Sequence, residues 1–304
     1  MADLLRDPPR GPRRLRQLLT GERAGPLLAP GAYDALSARL IERAGFDVVY
    51  MTGFGTSASL LGRPDVGLLG LAEMVGNVRR IVQAVDVPVI ADADTGYGNA
   101  VNVVRTVQEY EQAGAAGLHL EDQVLPKRCG HMSGKQVVPV DEMVGKIAAA
   151  VAARRDPDLV IIARTDARAV EGVDGALRRA RRYREAGADA LFVEALEGVD
   201  EIELVARELA DVPLVFNWAE GGKTPPLPYE RLVELGYAIV LMPISTLLLA
   251  TKAIESALAE IHAAGTPLPV LDRMLTFDGF LDTIGLPEVR RLEERFGLPV
   301  PEER

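Results

Sequence analysis

A layout of helix, glycine and short apolar strand recurs along this chain, and it leaves few folds open. Ala44-Gly45 precedes Val48-Val49-Tyr50-Met51, and Ala113-Gly114 precedes Gly117-Leu118-His119-Leu120. Ala186-Gly187 precedes Ala190-Leu191-Phe192-Val193, and Leu235-Gly236 precedes Ala238-Ile239-Val240-Leu241. Glycine after a helix takes the left-handed cap conformation, and a continuous apolar run suits a strand buried on both faces. Segments 26–29, 87–91, 159–163 and 214–216 supply four more such strands, which makes eight. Amphipathic stretches such as 176–185 and 201–209 lie between them. Eight strands alternating with helices, with no linker or low-complexity tract over 25–255, predict one α/β domain: a closed (β/α)8 TIM barrel. A doubly wound open sheet is the competing arrangement.

Three segments follow from this: a helical lead-in over 1–24, the catalytic barrel over 25–262 and a helical extension over 263–304. In the lead-in, Arg6, Arg10, Arg13, Arg14 and Arg16 suggest a targeting segment, but Asp3 and Asp7 interrupt the basic run and no apolar stretch of signal length follows. Leu15, Leu18 and Leu19 fit one helix face instead. The most apolar stretch, 237–251, contains Pro243, Ser245 and Thr246 and is too short to span a bilayer. The 304 residues carry 34 Lys+Arg against 44 Asp+Glu, a net charge of −10, which excludes nucleic-acid and anionic-membrane partners that need a basic footprint. The expectation is a cytoplasmic protein with a small-molecule partner. One cysteine, Cys129, excludes an internal disulfide and a cysteine-built zinc site.

In such barrels chemistry sits at the C-terminal ends of the strands. Here each apolar run stops at a polar residue: Asp34, Thr52-Gly53, Asp92 and Asp94, Glu121-Asp122, Arg164 and Asp166, Glu194, Asn217, then Pro243 and Ser245. Each alone could be a solvated strand end; together they mark one rim. On a regular strand Asp92 and Asp94, two apart, share a face, and Glu121 ends the neighbouring strand. Such a group repels itself unless a cation neutralises it, and oxygen-only ligands suit Mg2+ or Mn2+ better than zinc. A pair of loop-capping aspartates is the plainer alternative. Downstream, Lys127-Arg128-Cys129-Gly130-His131 sets a thiol between cations and a histidine, with Gly130 and Gly134 leaving the loop free to move. Positive neighbours are expected to lower the thiol pKa. A Cys–His hydrolase ranks lower, because residues two apart on a loop rarely both point inward. His119, between two leucines, reads as structural, and His262 as a solvent-facing helix residue. Gly53-Phe54-Gly55 lacks a dinucleotide fingerprint, and the end of strand eight lacks a phosphate loop.

These segments resemble the isocitrate lyase/phosphoenolpyruvate mutase superfamily. The likeness runs through 30–38 (Pro-Gly-Ala-Tyr-Asp-Ala-Leu-Ser-Ala), 51–59, 61–65, 92–100 (Asp-Ala-Asp-Thr-Gly-Tyr-Gly-Asn-Ala), 120–123, 127–131, 162–167 and 220–225, and covers roughly 25–300. Within the superfamily the sequence is similar to its carboxyvinyl-carboxyphosphonate phosphorylmutase, methylisocitrate lyase and 2,3-dimethylmalate lyase branches. The resemblance implies a Mg2+-dependent barrel (Mn2+ as a substitute) acting on a small di- or keto-carboxylate. It implies metal binding at Asp92 and Asp94, with Asp65 and Glu121 reaching the metal. Thr52, Gly53, Phe54, Gly130, Arg164, Glu194 and Asn217 become substrate contacts. Cys129 becomes the acid on a gating loop of Lys127, Arg128, Cys129, Gly130 and His131, and Tyr50 a tyrosine beside the metal, so Cys129, Arg164 and Tyr50 form the catalytic set. C-terminal helices swapped between subunits and a homotetramer follow as well. The implied reaction is carbon–carbon cleavage of a 2-hydroxy dicarboxylate, with phosphorus–carbon bond formation or oxaloacetate decarboxylation or hydrolysis as alternatives. Methylisocitrate lyases have an arginine where this chain has Leu248, and Trp218 stands where a smaller residue is expected. Both departures suggest a smaller or more apolar substrate than a tricarboxylate.

Overall fold

A computed structural model describes Leu5 and residues 11–21 and 24–297; the arginines at 6 and 10 lie outside the described residues. Eight parallel strands close into one barrel in sequence order: β1 (Leu27–Ala32), β2 (Val49–Met51), β3 (Val89–Asp92), β4 (Gly117–Glu121), β5 (Val160–Thr165), β6 (Ala190–Val193), β7 (Leu214–Asn217) and β8 (Ile239–Met242). β8 pairs with β1 from Leu27 opposite Ile239 to Pro30 opposite Met242, which closes the ring and excludes the open sheet. The expected glycine caps hold: Gly45, Gly114, Gly187 and Gly236 all have positive φ, between 75° and 103°, where a Cβ would be strained. The first strand runs on to Ala32, beyond the expected 29. Pro30 still pairs with Met242 of β8 and Gly31 with Tyr50 of β2, and Gly31 is needed there because a Cβ would collide with the backbone of Pro243.

Around the barrel lie α2 (Ala35–Arg43), α3 (Gly53–Leu61), α4 (Leu71–Ala84), α5 (Ala100–Gln112), α6 (Val140–Ala153), α7 (Arg168–Glu185, broken at Gly172), α8 (Val199–Glu208), α9 (Tyr229–Glu234) and α10 (Ser245–Ala264). The barrel's last helix passes residue 262 and stops at Gly265, a left-handed cap. A 3-10 turn (Leu268–Arg273), α11 (Phe277–Ile284) and α12 (Leu286–Arg295) follow.

Strand alternation separates two apolar cores. Residues such as Val49, Met51, Ala91, Leu118, Ile161 and Leu191 point outward and pack against the helices. Leu27, Val48, Tyr50, Ile90, Val160, Ile162, Phe192 and Ile239 point inward. The lead-in helix α1 (Gly11–Thr20) belongs to the second set: Leu15, fully buried, closes the N-terminal end of the barrel. Among the described residues no helix is long and apolar enough to cross a membrane.

Candidate active site

Above the apolar floor, the inward positions of β2 to β7 turn polar. Tyr50, Thr52, Phe54, Asp65, Asp92, Lys127, Cys129, Gly130, His131, Arg164, Phe192, Glu194 and Asn217 line one cavity of about 240 Å³ at the C-terminal mouth. Of the expected site residues, Gly53, Asp94, Glu121 and Arg128 are not in its wall. Gly53 opens α3 beside Asp92, and a Cβ there would collide with the Asp92 carboxylate. Thr52 caps the same helix by accepting the Gly55 N–H at 3.2 Å, so the first amides of α3 are presented at the mouth.

Asp92 and Asp94 do not share a strand face. β3 ends at Asp92, and Asp94 has a left-handed φ of 47°, turning back so that its N–H donates to Asp92 Oδ1 at 2.9 Å. Lys127 Nζ sits 2.6 Å from Asp65 Oδ2 and 2.8 Å from Asp94 Oδ1. Glu121 lies beneath, 3.4 Å from Arg164 Nε and accepting Gln123 Nε2 at 3.1 Å. Among the described residues no three carboxylate, histidine or cysteine groups converge as metal ligands, because a lysine stands between two of the expected four.

The charges nonetheless leave a deficit. Asp65, Asp92, Asp94, Glu121, Asp166 and Glu194, all buried, share Lys127, Lys135 and Arg164. Burial, helped by Asp92 and Asp65, pushes Asp94 up to about 6, and burial holds Glu121 well above the usual carboxylate range. Burial acts on Asp92 too, but His119, Lys127 and Arg164 outweigh it and keep its carboxyl low and charged. A buried, all-oxygen set with excess negative charge, its charged member facing the cavity, fits a hard divalent cation.

Arg164 is fixed from several sides. Its Nε donates to Asp166 Oδ2 at 2.9 Å and its Nη2 to Asp166 Oδ1 at 3.1 Å, Glu194 Oε2 lies 3.3 Å from Nη2, and the guanidinium stands 5.1 Å over Phe192. Asn217 Nδ2 donates to Glu194 Oε2 at 3.0 Å. His119 is structural, as expected: its Nε2 is 2.9 Å from the Tyr50 hydroxyl, and burial pushes its pKa down to about 4, so it is neutral.

The cysteine loop differs from expectation in two respects. The cations beside Cys129 in sequence do not face its thiol: Lys127 is committed below, and the exposed Arg128 reaches Ser133 O. Burial therefore pushes the thiol up rather than down. Cys129 and His131 do both line the cavity. The imidazole is engaged elsewhere, however: Nδ1 accepts the Lys223 N–H at 3.1 Å, and Nε2 is 3.3 Å from Asn217 Nδ2. A thiol held up by burial and an imidazole held by Lys223 and Asn217 give the hydrolase pair no support.

Neither departure singled out from the sequence touches the cavity. Leu248 lies on the exposed side of α10, and Trp218 packs against the outer core and donates Nε1–H to Leu227 O at 3.2 Å. Pro243, marked from the sequence as a rim residue, lines it, as do Met132, Glu220 and Ile244, which sequence reasoning did not name. Of these, Glu220 falls in a segment already marked; Met132 gives no signal beyond its place in the loop.

The profile of the phosphoenolpyruvate phosphomutase family matches residues 15–262. The chain belongs to that family. A 2,3-dimethylmalate lyase from Eubacterium barkeri is 50% identical over 93% of this chain and 97% of its own length. A 2-methylisocitrate lyase from Aeropyrum pernix is 46% identical over 94% and 91%. The solved structure of phosphonopyruvate hydrolase in complex with oxalate and Mg2+ superposes with a TM-score of 0.86 at 34% identity, over 94% of this chain and 99% of the other. This protein is thus an enzyme of the isocitrate lyase/phosphoenolpyruvate mutase superfamily, with named lyases among its near relatives.

Proposed function

We propose that the enzyme cleaves a carbon–carbon bond of a small 2-hydroxy dicarboxylate, of the dimethylmalate type, to an α-keto acid and a carboxylate. The observation that carries this reading is one cavity lined at once by Asp92, by Arg164 clamped on Asp166 and Glu194, and by Cys129. Asp92, with Asp94, Asp65 and Glu121 around it, would hold Mg2+ (or Mn2+), which supplies Lewis-acid stabilisation of negative charge on the substrate's 2-oxygen.

The chain's own residues do the rest. The Thr52 N–H donates to Ala32 O, so the amides of Gly53 and Phe54 at the start of α3, beside the Thr52 hydroxyl, and the guanidinium of Arg164 bind carboxylate groups. Glu194, Asn217 and Gly130 line the remaining wall, and the loop over the mouth excludes water. As the bond between C2 and C3 breaks, the 2-hydroxyl gives its proton to a carboxylate of the cavity wall, Asp65, and its oxygen becomes the keto oxygen. The C2–C3 electron pair passes to the departing carbon, Cys129 Sγ–H protonates it, and the proton returns to the thiolate once the products leave. A thiol held up by burial stays protonated until the bond breaks, and nearby Arg164 favours the thiolate left behind. Tyr50, its phenol held well above the usual range by burial, stays a neutral hydroxyl paired with His119.

The test is a panel of 2-hydroxy and 2-keto diacids incubated with enzyme and Mg2+, with keto-acid release measured and a phosphonate precursor followed in parallel by phosphorus NMR. Cys129→Ala is expected to lose about 10²–10⁴-fold in kcat while oxalate binding stays unchanged. Undiminished cleavage in that variant would remove the thiol from the mechanism.

A homotetramer with swapped C-terminal helices belongs to the same reading. What supports it is apolar surface: α10 buries none of its residues, and Leu249, Ile254, Leu258, Leu275 and Phe277 are all more than half exposed. A patch of this kind marks an interface. Light scattering that returned a 32.7 kDa monomer would refute it.

A further inference from the structure

The loop that carries Cys129 is a flap on a narrow neck. Gln123 and Val137 form an antiparallel bridge, and the Val124 N–H donates to Gln136 O at 2.9 Å, so residues 124–136 leave and re-enter the barrel at one point. Two lysines bracket the flap, and both are buried. Lys127 reaches down to the carboxylates of the proposed metal group. Lys135 has no place in the mechanism above, yet its side chain is 1% exposed and its Nζ lies 2.8 Å from Oδ1 of Asp166, whose side chain is 0% exposed.

The same Nζ donates to the carbonyl of Gly130, the residue directly after Cys129. Asp166 in turn holds both Nε and Nη2 of Arg164. One ammonium therefore ties the tip of the flap to the carboxylate that orients the arginine. Gly130 sits so close beneath that a Cβ there would collide with Arg164 and Glu194. Sequence separation makes the link consequential. Lys135 lies five residues beyond Gly130 and 31 before Asp166, so the pair joins the flap to a strand end it does not otherwise follow.

We propose that Lys135 is a positioning residue that latches the flap down, setting Cys129 over the cavity in register with Arg164. This rests on the reading of Cys129 as the acid, but its test does not depend on turnover. A buried lysine bridging a carboxylate and a carbonyl is costly to strand and unhelpful to stability, so its value lies in fixing a geometry. Without the ammonium, Gly130 O and Asp166 lose their common donor and the flap lifts. Lifting exposes the thiol, and exposure speeds its reaction with an alkylating agent.

Cys129 is the only cysteine, so iodoacetamide labelling reads this site alone. Lys135→Met is expected to raise the labelling rate at least tenfold at fixed pH, with circular dichroism unchanged. If that variant does not fold, Lys135→Gln, which keeps an amide donor but no charge, is expected to raise it at least threefold. Labelling at the wild-type rate in a folded variant overturns the latch, because a merely structural lysine would lower Tm and leave the thiol covered. With a turned-over substrate in hand, kcat falls more than KM rises; equal changes in both overturn the positioning role. An inactive wild-type enzyme would defeat the lyase reading while leaving the labelling result to decide the latch.

Discussion

The two ends of the barrel interior both bury their side chains but are built from opposite materials. At the N-terminal end Leu15, Leu27, Val160 and Ile239 fill the space, with Leu15 0% exposed. At the C-terminal end the same sheet presents Asp92, His119, Glu121, Arg164 and Glu194, with Glu121 1% exposed. Apolar side chains at the floor stabilise the fold by about 1.5–3 kcal/mol each. The charges at the mouth gain little net stability, because desolvation offsets their attraction. Their arrangement is useful for chemistry rather than for folding. Stability and function are thus separated along one axis, and they are coupled only where a mouth charge is left alone.

That separation can be broken most strongly at the mouth. Arg164→Met leaves Asp166, Glu121 and Glu194 without their shared cation, and removing one partner of a buried pair costs about 3–5 kcal/mol. Differential scanning calorimetry should show Tm lower by about 10 °C, together with loss of turnover; an unchanged Tm would mean that the cluster is not under charge stress. Next in size is Leu15→Ala at the floor. A cost of about 2–5 kcal/mol is expected with kcat unaltered, and a parallel fall in kcat would show that the two ends are not independent.

The smallest effect is a pH dependence that comes from the C-terminal end. Burial lowers His119 to about 4, whereas the unfolded chain carries a histidine near 6.5. Between those values the unfolded state binds the proton and the folded state does not. Stability from this group is therefore full above about 6.5 and is lost as pH falls towards 4, by at most about 3 kcal/mol. Tm measured across that range should decline, and His119→Gln should flatten the decline.

The barrel was legible because its signals are local. The glycine caps ahead of four strands and the apolar runs that mark all eight need no tertiary information, and eight strands form at those segments. Strand-end polarity was legible for the same reason, since a strand's alternation fixes which residues face inward: Tyr50, Asp92, Arg164, Phe192 and Glu194 follow from it. Side-chain commitments in loops were not. Lys127 and Arg128 flank the thiol in sequence, yet one turns down to Asp65 and the other out to Ser133, so the expected acidification of Cys129 fails. Asp94 departs from the strand face because its left-handed φ reverses the chain at that residue, in a loop whose later glycines, Gly96 and Gly98, also have positive φ. Leu248 and Trp218 looked decisive on alignment of motifs but are directed away from the cavity by α10 and by the loop after β7.

By itself the sequence determined the (β/α)8 architecture, the rim on which chemistry occurs and the residue types gathered there, because periodicity and capping are properties of neighbours along the chain. Only the tertiary structure decided which charge answers which: that Lys127 stands between Asp65 and Asp94, that Asp166 holds Arg164, and that Lys135 ties the cysteine flap to both. Those partnerships form across strands and loops far apart in sequence. In a buried site the balance of desolvation against a specific partner sets each group's charge, and no local pattern encodes it.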